Sequence, residues 1–135
     1  MCLELTKKSK KLIAKSDIRC YKVARIFTQI DGVRAYMTPF QGSLIEIGKT
    51  YNSELSIERI GFLKYGIFRG IHCFMKAEDC FAFLSESYNL SMDYAVIECI
   101  IPKGSSYYRG YFREKNSFTS DCLTYVREIS AIIKK

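Results

Sequence analysis

The only histidine of the chain, His72, is the first residue to consider as a catalyst. The ordinary pKa of its imidazole lies near neutrality, so this side chain can take up or release a proton there. Its apolar neighbours Ile71, Cys73 and Phe74 predict a strand in which His72 faces away from Ile71 and Cys73. Two placements stay open: His72 is bonded to a backbone carbonyl at a sheet surface, or it lies in a cleft between two sheets.

Glu98 is the acidic residue best placed for a catalytic or binding role, since it lies within the apolar segment Tyr94–Ile101. An isolated buried carboxylate is costly, so we expect Glu98 to lie on a hydrated face or to be paired with a cation. With Tyr21 on the first predicted strand, Glu98 and His72 are the candidate catalytic residues.

The segment from Pro102 to Gly110 is predicted to be a loop that leaves this strand, because proline ends strand pairing. Lysine, arginine and serine side chains can donate to an anion, and tyrosine rings can stack on a base. The Walker order of glycines, lysine and hydroxyl residue is absent. Alternatively, the segment is a turn whose tyrosines pack over the sheet edge, and adjacent tyrosines then point to opposite faces. The candidate ligand-binding residues are Lys103, Ser105, Ser106, Tyr107, Tyr108 and Arg109.

Positive charge is concentrated at the amino terminus. The net charge is +7, and residues 1–22 hold seven lysines and arginines against two acids. Four lysines of this stretch would contact a polyanion first, or they are the hydrated face of a short helix that Thr6 caps. The candidate polyanion-binding residues are Lys7, Lys8, Lys10 and Lys11.

The six cysteines are not spaced as metal ligands or as a redox pair, because no C-x-x-C occurs. One histidine does not complete a site of two cysteines and two histidines, so we predict no metal. Most of the cysteines lie in apolar segments, which predicts buried, reduced thiols. A nucleophilic pair of His72 with Cys73, Cys80 or Cys99 would require proximity that the sequence does not show.

The elements that position these residues follow from hydrophobic periodicity. Alternating and continuous apolar segments predict strands, and apolar residues at helical spacing predict one principal helix. Three glycines predict an irregular region with short strands over 52–69. We predict strands over Ile18–Phe27, Ile71–Phe74, Tyr94–Ile101 and Leu123–Ile129, and a helix over 76–88. We also predict a short strand or extended segment in Leu44–Tyr51 that Gly48 ends, an Asp31-Gly32 turn and an extended Ala35–Phe40.

This pattern predicts an α+β fold with a mostly antiparallel, twisted sheet, one principal helix and a short basic N-terminal helix. At 135 residues we expect a basic arm over 1–17 and a single domain over 18–135. Because no apolar run approaches the ~20 residues of a membrane span and no secretion signal is recognisable, we expect no membrane partner and a cytoplasmic location.

The chain resembles short uncharacterised proteins of phages and bacterial mobile elements, from about residue 18 onward. That resemblance implies no established activity. It rests on Tyr21-Lys22-Val23, Gly48-Lys49-Thr50-Tyr51, Gly70-Ile71-His72-Cys73-Phe74 before a helix, Ile101-Pro102-Lys103-Gly104-Ser105 and Ser120-Asp121-Cys122-Leu123-Thr124-Tyr125-Val126.

A second resemblance, in the order of elements, is to compact ADP-ribosyltransferases of the rifampin-modifying sort. It implies an NAD site with a histidine on the first strand, a tyrosine on a short strand and a later acid. Here Lys22 follows Tyr21 at the first position and His72 stands at the second, while Lys103 and Arg109 occupy the later loop.

The sequence therefore favours a small non-catalytic binding protein of phage or mobile-element type, which engages an acidic protein, a nucleotide or nucleic acid. The alternative is an ADP-ribosyltransferase-like enzyme with a nonstandard NAD site around Tyr21, His72 and Glu98. The oligomeric state is left open.

Overall fold

The protein is mostly sheet. The computed structural model describes residues 3–6, 10–28, 34–38, 43–61, 64–87 and 92–132. Strands make up 65% of the structure and helix 10%, so the predicted α+β class is wrong and the fold is closer to all-β. The strands are β1 (Leu3–Thr6), β2 (Leu12–Ile13), β3 (Ile18–Thr28), β4 (Arg34–Met37), β5 (Leu44–Ile45), β6 (Thr50–Asn52), β7 (Ser56–Gly61), β8 (Lys64–Arg69), β9 (Ile71–Phe74), β10 (Asp93–Ile101), β11 (Ser106–Phe112), β12 (Lys115–Ser120) and β13 (Cys122–Ile132), and helix α1 is Ala77–Ser87.

All strand pairs in the described residues are antiparallel, and they form one sheet that curls into a half-barrel. The strand order is β6-β13-β10-β3-β9-β12-β11-β1-β8-β7. Strand β2 pairs with β11, and β4 joins β3 to β5. The prediction of a mostly antiparallel sheet is therefore confirmed.

Strand β10 is an interior strand of this sheet, as its continuous apolar sequence predicts. It pairs with β3 from Asp93 opposite Ile26 to Ile101 opposite Ile18, and its other edge pairs with β13. Residues 94–99 are buried, so both faces of the strand are covered. The predicted strands over β3, β9, β10 and β13 and the helix over 76–88 are confirmed within a few residues at their ends.

The inner face of the curled sheet holds the larger core. Alternate residues of β3 and β10, such as Ala24 and Ile97, pack there with Phe118 of β12 and Tyr125 of β13. Strands β12 and β13 lie on opposite sides of the β10–β3 pair in the strand order, and the curl brings Phe118 and Tyr125 into one core.

An ion pair between strands that are not neighbours in the sheet supports the curl. Glu128 of β13 accepts hydrogen bonds from Arg34 (2.8 Å) and from the Tyr36 hydroxyl (2.7 Å) of β4. Burial and this hydrogen bond raise the pKa of Tyr36 to about 12, so its hydroxyl stays a donor at neutral pH.

Helix α1 covers part of the other face. Cys80, Phe83 and Leu84 of the helix pack on Val23, Phe74 and Val96 of the sheet. Glu78 and Asp79 lie in its first turn, where the helix dipole favours acids. The helix therefore buries part of the face of β3 on which the odd-numbered residues, such as Val23, lie.

The predicted short N-terminal helix is wrong. The described part of that stretch forms strands β1 and β2. Leu3 and Leu5 are buried while Glu4 between them is exposed, an alternation of period two that fits a strand. Strand β1 pairs with β8 and β11, so sheet hydrogen bonds replace those of a helix.

Two regions hold more strand than the sequence indicated. The predicted irregular region contains the hairpin β7–β8, with Gly66 in mid-strand, a residue type that propensity disfavours there. The predicted loop 102–110 is shorter, since β11 begins at Ser106 and forms a hairpin with β12. The predicted Asp31-Gly32 turn and the end of the extended Ala35–Phe40 segment lie outside the described residues.

Replacement of Gly110 tests how β1 docks on β11. A Cβ at this position would meet the carbonyl oxygen of Glu4 and approach the Leu5 side chain to 2.9 Å. We expect Gly110→Ala to lower the free energy of unfolding by about 1–3 kcal/mol, because backbone moves little to relieve overpacking. Urea denaturation measures the effect. The control is Ser85→Ala on the exposed side of α1, and equal midpoints for the two variants would show that β1 is not packed as described.

Candidate functional site

The backbone N–H groups of residues 103–105, in the turn that follows β10, donate to other groups of the protein. The Lys103 N–H donates to Asp17 Oδ1 (2.9 Å) and the Gly104 N–H to the Ala14 carbonyl (2.8 Å). The Ser105 N–H closes the turn on the Pro102 carbonyl at 3.0 Å, and Gly104 has a φ of +90°, which glycine adopts without strain. The turn therefore offers an anion the Lys103 side chain and no N–H of residues 103–105.

The same hydrogen bonds bring the amino-terminal segment against the turn. The Ala14 N–H donates to the Ser105 carbonyl at 2.9 Å, and Leu12 and Ile13 of β2 are in register with Tyr107 and Ser106 of β11. Lysines far apart in sequence therefore share one exposed edge. We call this the basic edge: Lys10, Lys11, Lys15 and Lys103.

The other two predicted polyanion-binding lysines, Lys7 and Lys8, lie outside the described residues. Lys10 and Lys11 are exposed directly before β2. The structure thus brings two of the four predicted lysines to the predicted loop, and it adds Lys15.

Most other predicted loop residues support the fold. Tyr107 packs in the inner core with its ring 5.6 Å from that of Phe118, and Tyr108 packs in a separate cluster with Leu3 and Leu5. The two tyrosines thus point to opposite faces, as their adjacency predicts, and neither ring is fully exposed. Ser105 is buried, and the Ser106 N–H donates to Asp121 Oδ1 at 3.0 Å. Arg109 is exposed.

Three exposed residues that the sequence analysis did not single out lie side by side beyond Arg109. Tyr111 of β11 is 49% exposed, and it stands opposite Glu4 of β1 and Asn116 of β12. Glu4 and Asn116 are exposed as well. The signal for Tyr111 was the alternation from Tyr107, which places residues 107, 109 and 111 on one face. The pairing of three separate strands was not readable from the sequence.

His72 is buried under an aromatic layer. It is 4% exposed, and its ring lies 4.8 Å from that of Phe74 and 5.1 Å from that of Phe112. Neither ring nitrogen has a hydrogen-bond partner, and neither does the hydroxyl of Thr119, which stands opposite His72. Burial, with the nearby charge of Lys22, lowers the pKa of His72 well below its usual value, so the imidazole is neutral at pH 7. Of the two placements that the sequence left open, the one with a bond from the ring to a backbone carbonyl is absent.

Lys22 is buried too, although it counts toward the basic amino-terminal stretch. Its Nζ donates to the His72 carbonyl at 2.7 Å, and the thiols of Cys20, Cys73 and Cys99 surround it. Burial lowers the pKa of Lys22. The pKa values of Cys20 and Cys99 are raised, the first chiefly by a hydrogen bond with Cys73 and the second by burial, so these thiols do not supply a negative charge. Lys22 therefore belongs to the core and not to a surface that meets a polyanion.

The prediction of buried, reduced thiols is confirmed for Cys20, Cys73, Cys80 and Cys99, which are free and buried. In the described parts of the chain, no group of three or more histidine, cysteine, aspartate or glutamate side chains is arranged to hold a metal ion.

Glu98 is held by two arginines on the face of the sheet beside α1. Its carboxylate accepts from Arg127 Nε at 3.0 Å and lies 3.4 Å from Arg19 Nε. Tyr21 stands directly opposite Glu98, with Phe74 as its neighbour on the other side. Glu98 is thus paired with cations, which is one of the two placements that the sequence predicted, and the two arginines restrain its carboxylate.

The structure does not bring the three candidate catalytic residues into one cleft. Tyr21 adjoins Glu98, whereas His72 lies on β9 below the aromatic layer, with β3 between β9 and β10. A groove of about 510 Å³ lies between α1 and the β11–β12 hairpin, lined by Ala82, Glu86, Arg113, Glu114 and Lys115. None of Tyr21, His72 and Glu98 lines it, so this groove is not the nicotinamide site that the resemblance implies.

Comparison with known proteins leaves both resemblances untested. The chain matches no family model, no curated protein and no solved structure. The likeness to short phage and mobile-element proteins and the likeness to ADP-ribosyltransferases therefore stay predictions. Within the described residues, no helix combines the length and apolar character that crossing a membrane requires.

Protonation of buried His72 is expected to destabilise the fold in acid. The unfolded chain binds a proton at His72 near pH 6.5, whereas the folded protein does so only at lower pH. The free energy of unfolding should therefore fall as the pH drops from about 6.5 to 5, by up to about 1.4 kcal/mol per pH unit. Urea denaturation across this range measures the slope. In His72→Leu the slope should flatten, and an unchanged slope would contradict the assignment.

Replacement of Lys22 tests the cost of its burial. Lys22→Met keeps the length of the side chain and removes the amine. Because a buried amine without an anionic partner is costly, we expect the free energy of unfolding at pH 7 to rise by about 1 kcal/mol or more. Thermal and urea denaturation measure it. Exposed Lys76→Met is the control, and a lower stability for Lys22→Met than for this control would show that the bond to the His72 carbonyl outweighs the cost of burial.

Proposed function

We propose that this chain is a small, cytoplasmic, non-catalytic binding protein of phage or mobile-element type that engages nucleic acid through the basic edge. One observation carries the proposal. Backbone hydrogen bonds of Ala14 with Gly104 and Ser105 hold the amino-terminal lysines beside Lys103, so two basic segments that the sequence separates by about 90 residues act together.

The charge of the basic edge is available to a partner. None of the ion pairs among the described residues involves Lys10, Lys11, Lys15 or Lys103. The carboxylate of Asp17 accepts from the Lys103 N–H and stabilises the turn. Unpaired surface cations displace counterions from a polyanion on binding, which is the main source of affinity for nucleic acid.

The shape of the basic edge favours an extended partner over a free nucleotide. Its lysines follow strand β2 and the turn before β11, and all four are exposed. The exposed Leu12 and Ile13 lie between them at 41% and 55% exposure and supply apolar contact. Nucleic acid and an acidic polypeptide both fit an extended basic surface, and the exposed aromatic ring of Tyr111 on the adjoining strand favours nucleic acid.

The positions of the catalytic candidates support a binding role. Glu98 is paired with Arg19 and Arg127, and His72 is buried away from it. A general acid or base must reach its substrate, and neither group offers a free, shared site in this arrangement.

Removal of charge from the basic edge tests the proposal. In Lys10→Ala/Lys11→Ala/Lys103→Ala, we expect weaker binding to a fluorescein-labelled 20-nucleotide single strand. The slope of log K against log salt should fall in magnitude by about 2, because each lost phosphate contact removes about 0.7. Fluorescence anisotropy between 50 and 200 mM salt gives both quantities.

A matched variant separates local from global charge. Lys49→Ala/Arg69→Ala/Lys76→Ala removes the same net charge from exposed positions outside the basic edge. The proposal requires this control to bind like the wild type. If both variants lose the same salt dependence, or if the wild type binds poly-glutamate and not nucleic acid, the basic edge is not a nucleic-acid site.

A further inference from the structure

A row of three exposed side chains crosses strands β1, β11 and β12. Tyr111 stands in the middle, and Glu4 and Asn116 are its direct partners in register on either side. Side chains directly opposite each other in antiparallel strands have Cβ atoms about 4.5–5.5 Å apart. The row is therefore an aromatic ring flanked closely by a carboxylate and an amide. We call it the tyrosine row.

The chemistry of the tyrosine row suits a nucleobase. The ring of Tyr111, which is 49% exposed, offers a face on which a base can stack. The amide of Asn116 both donates and accepts, and the carboxylate of Glu4 accepts only. Carboxylates accept hydrogen bonds from exocyclic amino groups of bases. A base that lies on Tyr111 would thus meet polar groups at its edges.

The strand β11 connects the tyrosine row to the basic edge. Arg109 lies two residues before Tyr111, is exposed and is on the same face. Ser106, five residues before Tyr111, is paired with Ile13 next to the lysines. Five residues of strand span about 17 Å. Phosphates of a bound strand would therefore lie along Arg109 and the basic edge, while a base reaches Tyr111.

Acidic residues on the far side of the tyrosine row fix the direction of that strand. Gly66 of β8 is opposite Glu4, and Glu58 of β7 is opposite Gly66. Glu58 is exposed, about 10 Å beyond Glu4 across two strand spacings. Two carboxylates repel phosphate on this side, so the backbone is directed toward Arg109.

We propose that the tyrosine row is a nucleobase platform for single-stranded nucleic acid, with a preference for a base that carries an exocyclic amino group, cytosine over thymine. The inference rests on the proposed function, since the basic edge holds the phosphates of the same strand. A duplex keeps its bases stacked on each other, and the helix of the described residues, α1, is acidic in its first turn and has no basic residue in its last. A single strand is therefore the partner that the surface fits.

Anisotropy titrations with fluorescein-labelled dC20 and dT20 test the inference. Tyr111→Ala should weaken binding of dC20 about tenfold or more, and Tyr111→Phe should retain it, because stacking needs the ring and not the hydroxyl. Glu4→Gln and Asn116→Ala should each bring the affinities for dC20 and dT20 closer together. Phe81→Ala removes an exposed aromatic ring from α1 and is the control, with wild-type binding expected. Circular dichroism verifies that each variant is folded.

Inorganic polyphosphate, which has no bases, separates this inference from the proposed function. The inference predicts that polyphosphate binds the wild type and Tyr111→Ala equally well. If Tyr111→Ala also binds dC20 like the wild type, or if a 20-base-pair duplex binds more tightly than dC20, the nucleobase platform is refuted while the basic edge stands. If neither oligonucleotides nor polyphosphate bind at 50 mM salt, both proposals are refuted.

Discussion

The structure depends on the pairing of the interior strands β10 and β3, which runs over nine consecutive positions. Both strands carry apolar residues on both faces, so each face of the sheet must be covered for the pairing to be stable. The curl of the sheet covers one face, where Ala24 and Ile97 share a core with Tyr125 of β13 and Phe118 of β12. Helix α1 covers the other at Val23 and Val96. Function is then confined to surfaces that neither cover reaches.

Those surfaces lie where strands extend beyond the inner core on one face and beyond helix α1 on the other. The turn 102–105 follows the end of β10, and β2 joins it through backbone hydrogen bonds because the edge of β11 is open there. Tyr111 lies toward the other end of β11, past the inner core that holds Tyr107. One strand therefore carries a packed ring at its start and an exposed ring near its end, and the difference is the extent of the core beneath it.

Burial also explains why the residues with the most reactive chemistry do not form a site. One hydrogen bond from the Lys22 amine to the backbone carbonyl of His72 holds the two residues next to each other. Burial lowers both pKa values, which favours the neutral form of each side chain. The cost of dehydrating these groups makes them sensitive to pH, which is a property of stability. Glu98, on the face of the sheet beside α1, is paired with Arg19 and Arg127. The type of a residue therefore does not by itself identify a functional site here, because the position of the residue in the sheet decides whether its side chain is exposed.

The sequence by itself determined the elements whose apolar pattern is local: β3, β9, β10, helix α1 and the buried thiols. It also determined that Tyr107 and Tyr108 face opposite ways, because alternation is a property of any extended chain. It did not determine that Leu3–Thr6 is a strand, since four residues carry too little pattern to distinguish strand from helix without β8 and β11 beside them. Only the tertiary structure brought Lys10 to Lys103, and Glu4 and Asn116 to Tyr111. Register between distant strands is set by the packing of the whole core, and no local segment of sequence encodes it.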